Sequence, residues 1–146
     1  MIDDFHGANF AGSNFYPSPF VWDGEAWPTV EHAYQAMKSK RPGYREAILS
    51  NDKPYTAKEK GQKVAMRQDW YKIRVSVMTQ CVRAKFFQVP ECAKWLLGTG
   101  DEELVEGNTW GDVFWGVCDG KGENHLGKIL MQVRQELRDA GFSLAA

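Results

Sequence analysis

The chain has 146 residues, the size of one domain, and a chain of this length buries about two thirds of its unfolded surface on folding. Its 43% hydrophobic and 25% charged residues are those of an ordinary globular protein, and no stretch nears the ~20 apolar residues that a membrane-spanning helix needs. The net charge of −1 hides a division: from Lys38 to Lys85 there are 13 Lys/Arg against four Asp/Glu, or +9, and the remainder carries −10.

A basic central segment of this kind draws in phosphate groups even in a nearly neutral protein, or else forms solvated helix faces. The start, Met-Ile-Asp-Asp-Phe-His, lacks the basic region and apolar run of a secretory signal, so the expected location is the cytoplasm. Cys81, Cys92 and Cys118 are odd in number and form no C-x-x-C pair, which points to reduced, buried thiols and not to a disulfide framework or a zinc knuckle, with a catalytic Cys as the alternative. Six Trp, five Tyr and eight Phe are more than a core this size needs, and some are expected to wall a pocket.

In chain order, residues 5 to 28 are dense in Phe, Trp, Gly, Ser, Asn and Pro with no helical period, which predicts irregular structure with short strands. Val30, Ala33, Tyr34 and Met37 then recur at helical spacing, with Thr29 as N-cap and Pro42-Gly43 as the stop, which predicts a helix from about 30 to 40. A short helix near 44 to 50 follows. Thr56-Ala57-Lys58-Glu59 has the form of a capping box opening another. Trp70, Ile73, Val77, Cys81 and Ala84 line one stripe of the longest predicted helix, from Asp69 to about Phe87, and Pro90 begins a further short one. Glu103 to Glu106 and Val113 to Val117, separated by Gly107-Asn108, lean toward a small hairpin-like sheet. Leu126, Ile129, Leu130, Val133 and Leu137 form an amphipathic helix that ends at Gly141. With no repeat or linker, residues 1–146 read as a single helix-rich α+β domain with a small sheet.

On the helix after Pro28, Glu31 and Lys38 are seven residues apart and share one stripe, with Tyr34 and Gln35 between them. A carboxylate in the first turn is held ionised by the helix dipole, which suits a base or a stabiliser of positive charge on a sugar. A lysine in dry or positive surroundings has a lowered pKa and can attack a carbonyl. The alternative is a surface helix with solvated charges. Asp112 lies in Trp110-Gly111-Asp112-Val113-Phe114-Trp115-Gly116, where it either holds ribose hydroxyls or bonds to its own turn. Trp70 either stacks on a base or fills the core. Cys118-Asp119-Gly120-Lys121-Gly122-Glu123-Asn124 precedes a helix, and is either a phosphate cradle of backbone N–H groups or a plain left-handed turn with an Asn cap. His6, His32 and His125 lack metal-ligand spacing, so no metal site is expected. The residues thus predict an acidic and basic pocket with aromatic walls, suited to a polar, phosphorylated, ring-containing ligand.

Ser13-Asn14-Phe15-Tyr16-Pro17, Trp27-Pro28-Thr29-Val30-Glu31-His32-Ala33-Tyr34-Gln35-Ala36-Met37-Lys38, Asp69-Trp70, Lys85-Phe86, Leu96-Leu97-Gly98-Thr99-Gly100, Asp112-Val113-Phe114-Trp115-Gly116 and Asn124-His125-Leu126-Gly127 resemble, in order, the motifs of the NADAR or YbiA-like family. The resemblance runs from about Phe5 to Leu137. It implies a YbiA-like fold and a hydrolase of N-glycosyl bonds that works without a metal or organic cofactor. Some similar members hydrolyse phosphorylated pyrimidine intermediates of riboflavin synthesis, and others remove ADP-ribose from guanine bases of nucleic acid or nucleotides. The first substrate type is expected here, with the second as alternative and a non-catalytic ADP-ribose or nucleic-acid reader as a third reading. The resemblance implies Glu31, Lys38 and Asp112 as catalytic, with Lys85 competing for the role of imine-forming lysine. Trp70, Asn14, Phe15, Tyr34, Trp115, Gly120 and Asn124 are then expected to bind substrate. Gly61-Gln62 departs from a common Gly-Arg, and Cys118 stands where Gly is common.

Overall fold

A computed structural model describes residues 1–144. The chain falls into two compact units, one running from Asn14 to Lys85 and the other combining Met1–Ser13 with the chain from Phe86 onward.

In the Asn14–Lys85 unit, strands β1 (Phe20–Trp22) and β2 (Glu25–Trp27) form the sheet, antiparallel, with Phe20 opposite Trp27 and Trp22 opposite Glu25. The short strands expected before Pro28 are therefore present. Helix α1 (Val30–Ala36) is the centre of this unit: all seven of its residues are buried, and it packs on β2, α2 (Tyr44–Leu49) and α3 (Pro54–Lys63). It ends earlier than the predicted residue 40. Met37 and Lys38 donate to the carbonyls of Tyr34 and Gln35, three residues back, and the Lys38 carbonyl accepts the Arg67 N–H at 2.7 Å, so the chain leaves the helix toward a tertiary partner. Helix α3 begins two residues before the predicted capping box. Pro54, whose fixed φ suits the first helical position, starts it, and the Thr56 N–H bonds to the Lys53 carbonyl. Helix α4 (Trp70–Gln88) is the longest, as its stripe predicts, and its last turn belongs to the other unit.

Thr29 caps α1 as expected, accepting the His32 N–H at 3.1 Å on its hydroxyl, which also meets His32 Nδ1 at 2.8 Å. Thr29→Ala is expected to destabilise the protein by about 1 kcal/mol in urea unfolding, the usual worth of an N-cap.

In the other unit, a 3₁₀ segment (Gly7–Gly12) packs on α5 (Pro90–Gly98), where the Trp95 ring meets Phe5 at 6.1 Å and its Nε1–H donates to Asn9 at 3.2 Å. Helix α6 (His125–Asp139) lays Leu126, Ile129, Leu130, Val133 and Leu137 into the core and packs on α5, in agreement with its sequence period. The hairpin expected over 103 to 117 does not form. Only isolated bridges occur there, Ile2 with Leu104 and Gly107 with Val117, both parallel, and the loop's backbone groups bond partly to other backbone and partly to side chains. Of the side chains, Asn108 is the main one, its amide nitrogen donating to the Asp112 carbonyl at 2.8 Å and its oxygen accepting the Asp112 N–H at 3.0 Å. No helix among the described residues is long and apolar enough to cross a membrane.

Candidate active site

The first turn of α1 carries Glu31 into the interior, with 7% of its surface exposed, which removes the solvated-surface reading of this helix. Its N–H donates to the Asn14 carbonyl at 3.1 Å, so Asn14 anchors the turn through its backbone while its side-chain amide lies 3.5 Å from the Met78 sulfur. One turn along, the Gln35 amide nitrogen donates to Glu31 Oε1 at 2.8 Å. Hydrogen bonds to a charged partner contribute about 1.5–3 kcal/mol, which offsets the penalty for removing the carboxylate from water only in part.

Lys38, just past the helix end, is half-buried with its ammonium 3.4 Å from the Gly61 carbonyl of α3. Burial lowers its pKa below the usual lysine value, and the nearby Glu31 charge opposes that shift without cancelling it. Lys38 feels the Glu31 charge although it lies past the end of α1 and not on its stripe, and burial biases the amine toward its neutral, nucleophilic form. Gly61 matters twice here. Its carbonyl receives Lys38, and its missing side chain admits Gln35, because an added Cβ would overlap Gln35 Oε1. Gln35 was not among the expected site residues, although its spacing of four from Glu31 and three from Lys38 carried the signal.

Tyr34 and Trp70 pack with ring centres 5.1 Å apart, and Trp70 is 2% exposed, so the indole fills the core, the alternative weighed against stacking on a base. The Phe15 ring lies 6.0 Å from the Lys58 ammonium. Lys85, the competing amine, is buried with its ammonium 5.7 Å from the centre of the Tyr16 ring. His32 serves the fold: Thr29 and the Asn51 carbonyl, 2.8 Å from Nε2, grip both ring nitrogens, and burial lowers its pKa. The native ring refuses a proton that the unfolded ring accepts. His32 therefore contributes stability fully above pH ~6.5, and this is lost as pH falls toward the lowered folded value, with a slope of at most about 1.4 kcal/mol per pH unit. Urea titrations from pH 7.5 to 5 should show that loss, and His32→Gln should flatten it.

Asp112, Trp115, Gly120 and Asn124 belong to the other unit. Asp112 Oδ1 accepts the N–H groups of Phe114 and Trp115 at 3.1 and 2.9 Å, which is the turn geometry weighed against a ligand role. Trp115 stands edge-on to Phe114 at 4.8 Å, and Phe114 packs on His125 at 4.4 Å. Asp119 and Gly120 both have positive φ, 53° and 76°, between Cys118 and Lys121, which exchange two backbone hydrogen bonds, as in a two-residue hairpin turn where Asp-Gly is favoured. The Asn124 side chain donates to the Leu104 carbonyl at 3.0 Å and accepts the Glu106 N–H at 3.0 Å, so its amide ties loops together and does not cap α6. Of the two readings of the segment before α6, the left-handed turn is the one observed, and the His125 and Leu126 N–H groups bond to the Phe114 and Trp115 carbonyls at 3.2 and 3.0 Å.

Two surface depressions, about 580 and 330 Å³, are lined by neither Glu31 nor Lys38; the smaller is basic, with Lys40, Arg41, Arg45 and Arg67 on its rim. Among the described residues no three His, Cys, Asp or Glu side chains gather as a metal site.

These features define a helix-rich α+β protein whose central helix buries a carboxylate close to a lysine of lowered basicity. The chain belongs to the NADAR domain family, whose model matches residues 5–138. It is 43% identical over 130 residues to a riboflavin biosynthesis protein of Vibrio vulnificus, covering 87% of this chain and 35% of that one. It is 40% identical over 128 residues to the N-glycosidase YbiA of Escherichia coli K12, covering 86% of this chain and 79% of that protein. The chain thus spans about a third of the Vibrio protein and most of YbiA. The NMR structure of Escherichia coli YbiA superposes with a TM-score of 0.83 at 35% identity, over 99% of this chain and 92% of that one. The YbiA-like fold implied by the sequence motifs is therefore the fold observed.

Proposed function

We propose that this protein is a cytoplasmic hydrolase that cleaves the bond between ribose C1 and a base nitrogen in a phosphorylated ribosyl compound of the riboflavin-intermediate type. The observation that carries the reading is the buried Glu31 carboxylate beside Lys38, set in a chain whose relatives include proteins named for N-glycosidase activity and riboflavin biosynthesis. As the base departs, positive charge grows at C1. Glu31 stabilises that charge in a low-dielectric setting, where a fixed carboxylate acts more strongly than in water. Neutral Lys38 attacks C1 and displaces the base, then the C1–ring oxygen bond breaks as the imine forms, the two N–H protons of the amine ending on the departing base and on the ring oxygen. Water then hydrolyses the imine, returning the amine and releasing the sugar phosphate aldehyde. Tyr34 and Trp70 exclude water. Asn14, whose carbonyl accepts the Glu31 N–H, and Phe15 flank the carboxylate.

A second substrate class, ADP-ribose carried on guanine of nucleic acid or nucleotides, is favoured by one observation. The Asn14–Lys85 unit holds 13 Lys/Arg against seven Asp/Glu, or +6, and such a charge suits a polyanion. The two are separated by incubating the protein with each substrate type at several salt concentrations and identifying products by mass spectrometry. Release of free base and ribose phosphate from the pyrimidine compound, with little dependence on salt, supports the first reading. Cleavage confined to ADP-ribosylated nucleic acid and steeply salt-dependent supports the second. Ligand bound yet recovered intact after hours would identify a reader instead.

A further inference from the structure

We infer that Gln35 is a positioning residue that holds the Glu31 carboxylate ionised and aimed, and that Gly61 is the keyhole that lets it do so. The inference rests on the catalytic reading of Glu31 given above.

Gln35 is 5% exposed, and its amide has two ends with different fates. Its nitrogen donates to Glu31 Oε1 at 2.8 Å, while its oxygen is buried without a hydrogen-bond donor. Turning the amide over would place that oxygen against a carboxylate oxygen, two acceptors at hydrogen-bonding distance. An ionised Glu31 therefore dictates the amide's orientation and leaves the other end orphaned, a penalty that a fold serving only its own stability would avoid with an apolar side chain. The rest of Gln35 is held in place. The Tyr44 hydroxyl donates to its carbonyl at 3.0 Å, and the Lys38 N–H donates to the same oxygen at 3.2 Å. The orphaned oxygen lies against the Gly61 backbone, and the Gly61 carbonyl receives the Lys38 ammonium. One glycine thus sets both ends of the acid and amine pair, so the separation of Glu31 from Lys38 depends on how closely α3 approaches α1.

Titratable groups on the elements packed against this pair include Lys38, the Tyr44 phenol of α2 and the lysines of α3. Tyr44 is kept protonated, its pKa pushed up to about 12 by burial, and Lys60 is tied to the Ala47 carbonyl at 2.6 Å and the Ser50 hydroxyl at 3.3 Å, while Lys58 lies over Phe15. Lys38 is a charge whose pKa registers Glu31, and the Gln35 N–H is a neutral donor on the carboxylate.

The test is a ¹³C titration of the Glu31 carboxyl in the intact protein, which needs no substrate, alongside kinetics of the same variants. Gln35→Met keeps the volume and removes the donor. It is expected to raise the Glu31 pKa by roughly one unit, to move the acid limb of the pH–rate profile upward by the same amount, and to lower kcat about tenfold with KM nearly unchanged. Gln35→Glu, an isostere that replaces the donor with a second acid, is expected to produce two coupled titrations, one clearly raised. It decides the matter should Gln35→Met fail to fold. Gly61→Ala is expected to shift the same carboxyl signal by displacing Gln35. An unchanged Glu31 titration in folded Gln35→Met, or an ordinary, uncoupled one in Gln35→Glu, overturns the inference. A wild-type protein that cleaves neither substrate overturns the catalytic reading instead, and the titration reads out independently of it.

Discussion

Replacing Glu31 by Gln is expected to lower turnover by about 10²–10⁴-fold while leaving the thermal midpoint close to that of the wild type. The substitution preserves size and removes one thing, the negative charge. That charge has been taken out of water by α1, so the protein has already met its desolvation penalty in the ground state and recovers it only when positive charge develops at C1. The neutral amide offers no such recovery. Folding tolerates the change, because the helix cap is Thr29 and the Asn14 carbonyl binds the Glu31 backbone N–H, neither of which depends on the carboxylate. Steady-state kinetics with the pyrimidine substrate and a calorimetric melt decide it. Turnover within about threefold of wild type, in a folded protein, would remove Glu31 from the mechanism.

Borohydride added during turnover is expected to leave a covalent sugar adduct on Lys38 of the wild type, and Lys38→Met is expected to lose both the adduct and at least about 10²-fold in rate. Only the unprotonated amine attacks carbon. Burial lowers the Lys38 pKa, so the reactive fraction at neutral pH exceeds that of a surface lysine, and trapping should grow as pH rises toward the lowered value and level off above it. The same shift has a consequence for stability. Between the lowered folded value and the unfolded value near ~10.4, the unfolded chain binds more protons than the native one, so this residue's contribution becomes more favourable as pH rises through that window. Urea titrations of wild type and Lys38→Met from pH 7 to 10 should differ in slope with that sign. An adduct mapped by mass spectrometry to Lys85 would transfer the role to the other buried amine. Absence of any adduct with full activity would leave direct attack by water on C1.

Local chemistry accounts for what could be read early. The Thr29 cap, the α1 and α6 stripes and Pro90 at the start of α5 all follow from interactions within a few residues of chain, where helical periodicity and capping act. The misreadings have an equally definite cause. Thr56-x-x-Glu59 has the pattern of a capping box, yet Pro54 had already started the helix. Glu103 to Glu106 and Val113 to Val117 lean toward strands, yet Asn108 and Asp112 side chains bond to the backbone between them and hold it as a loop.

By itself the amino-acid sequence determined most of the helical elements, the family motifs and the spacing of an acid seven residues from an amine, because each is written in short-range order. Only the tertiary structure decided that Glu31 is dry, that Gln35 grips it and that Lys38 is held at Gly61, and it also showed that the α6 N-terminus is closed by its own chain. Those facts depend on which distant backbone arrives beside α1 or α6, and burial, the quantity that sets charge energetics, belongs to the assembled fold and to no local stretch of residues.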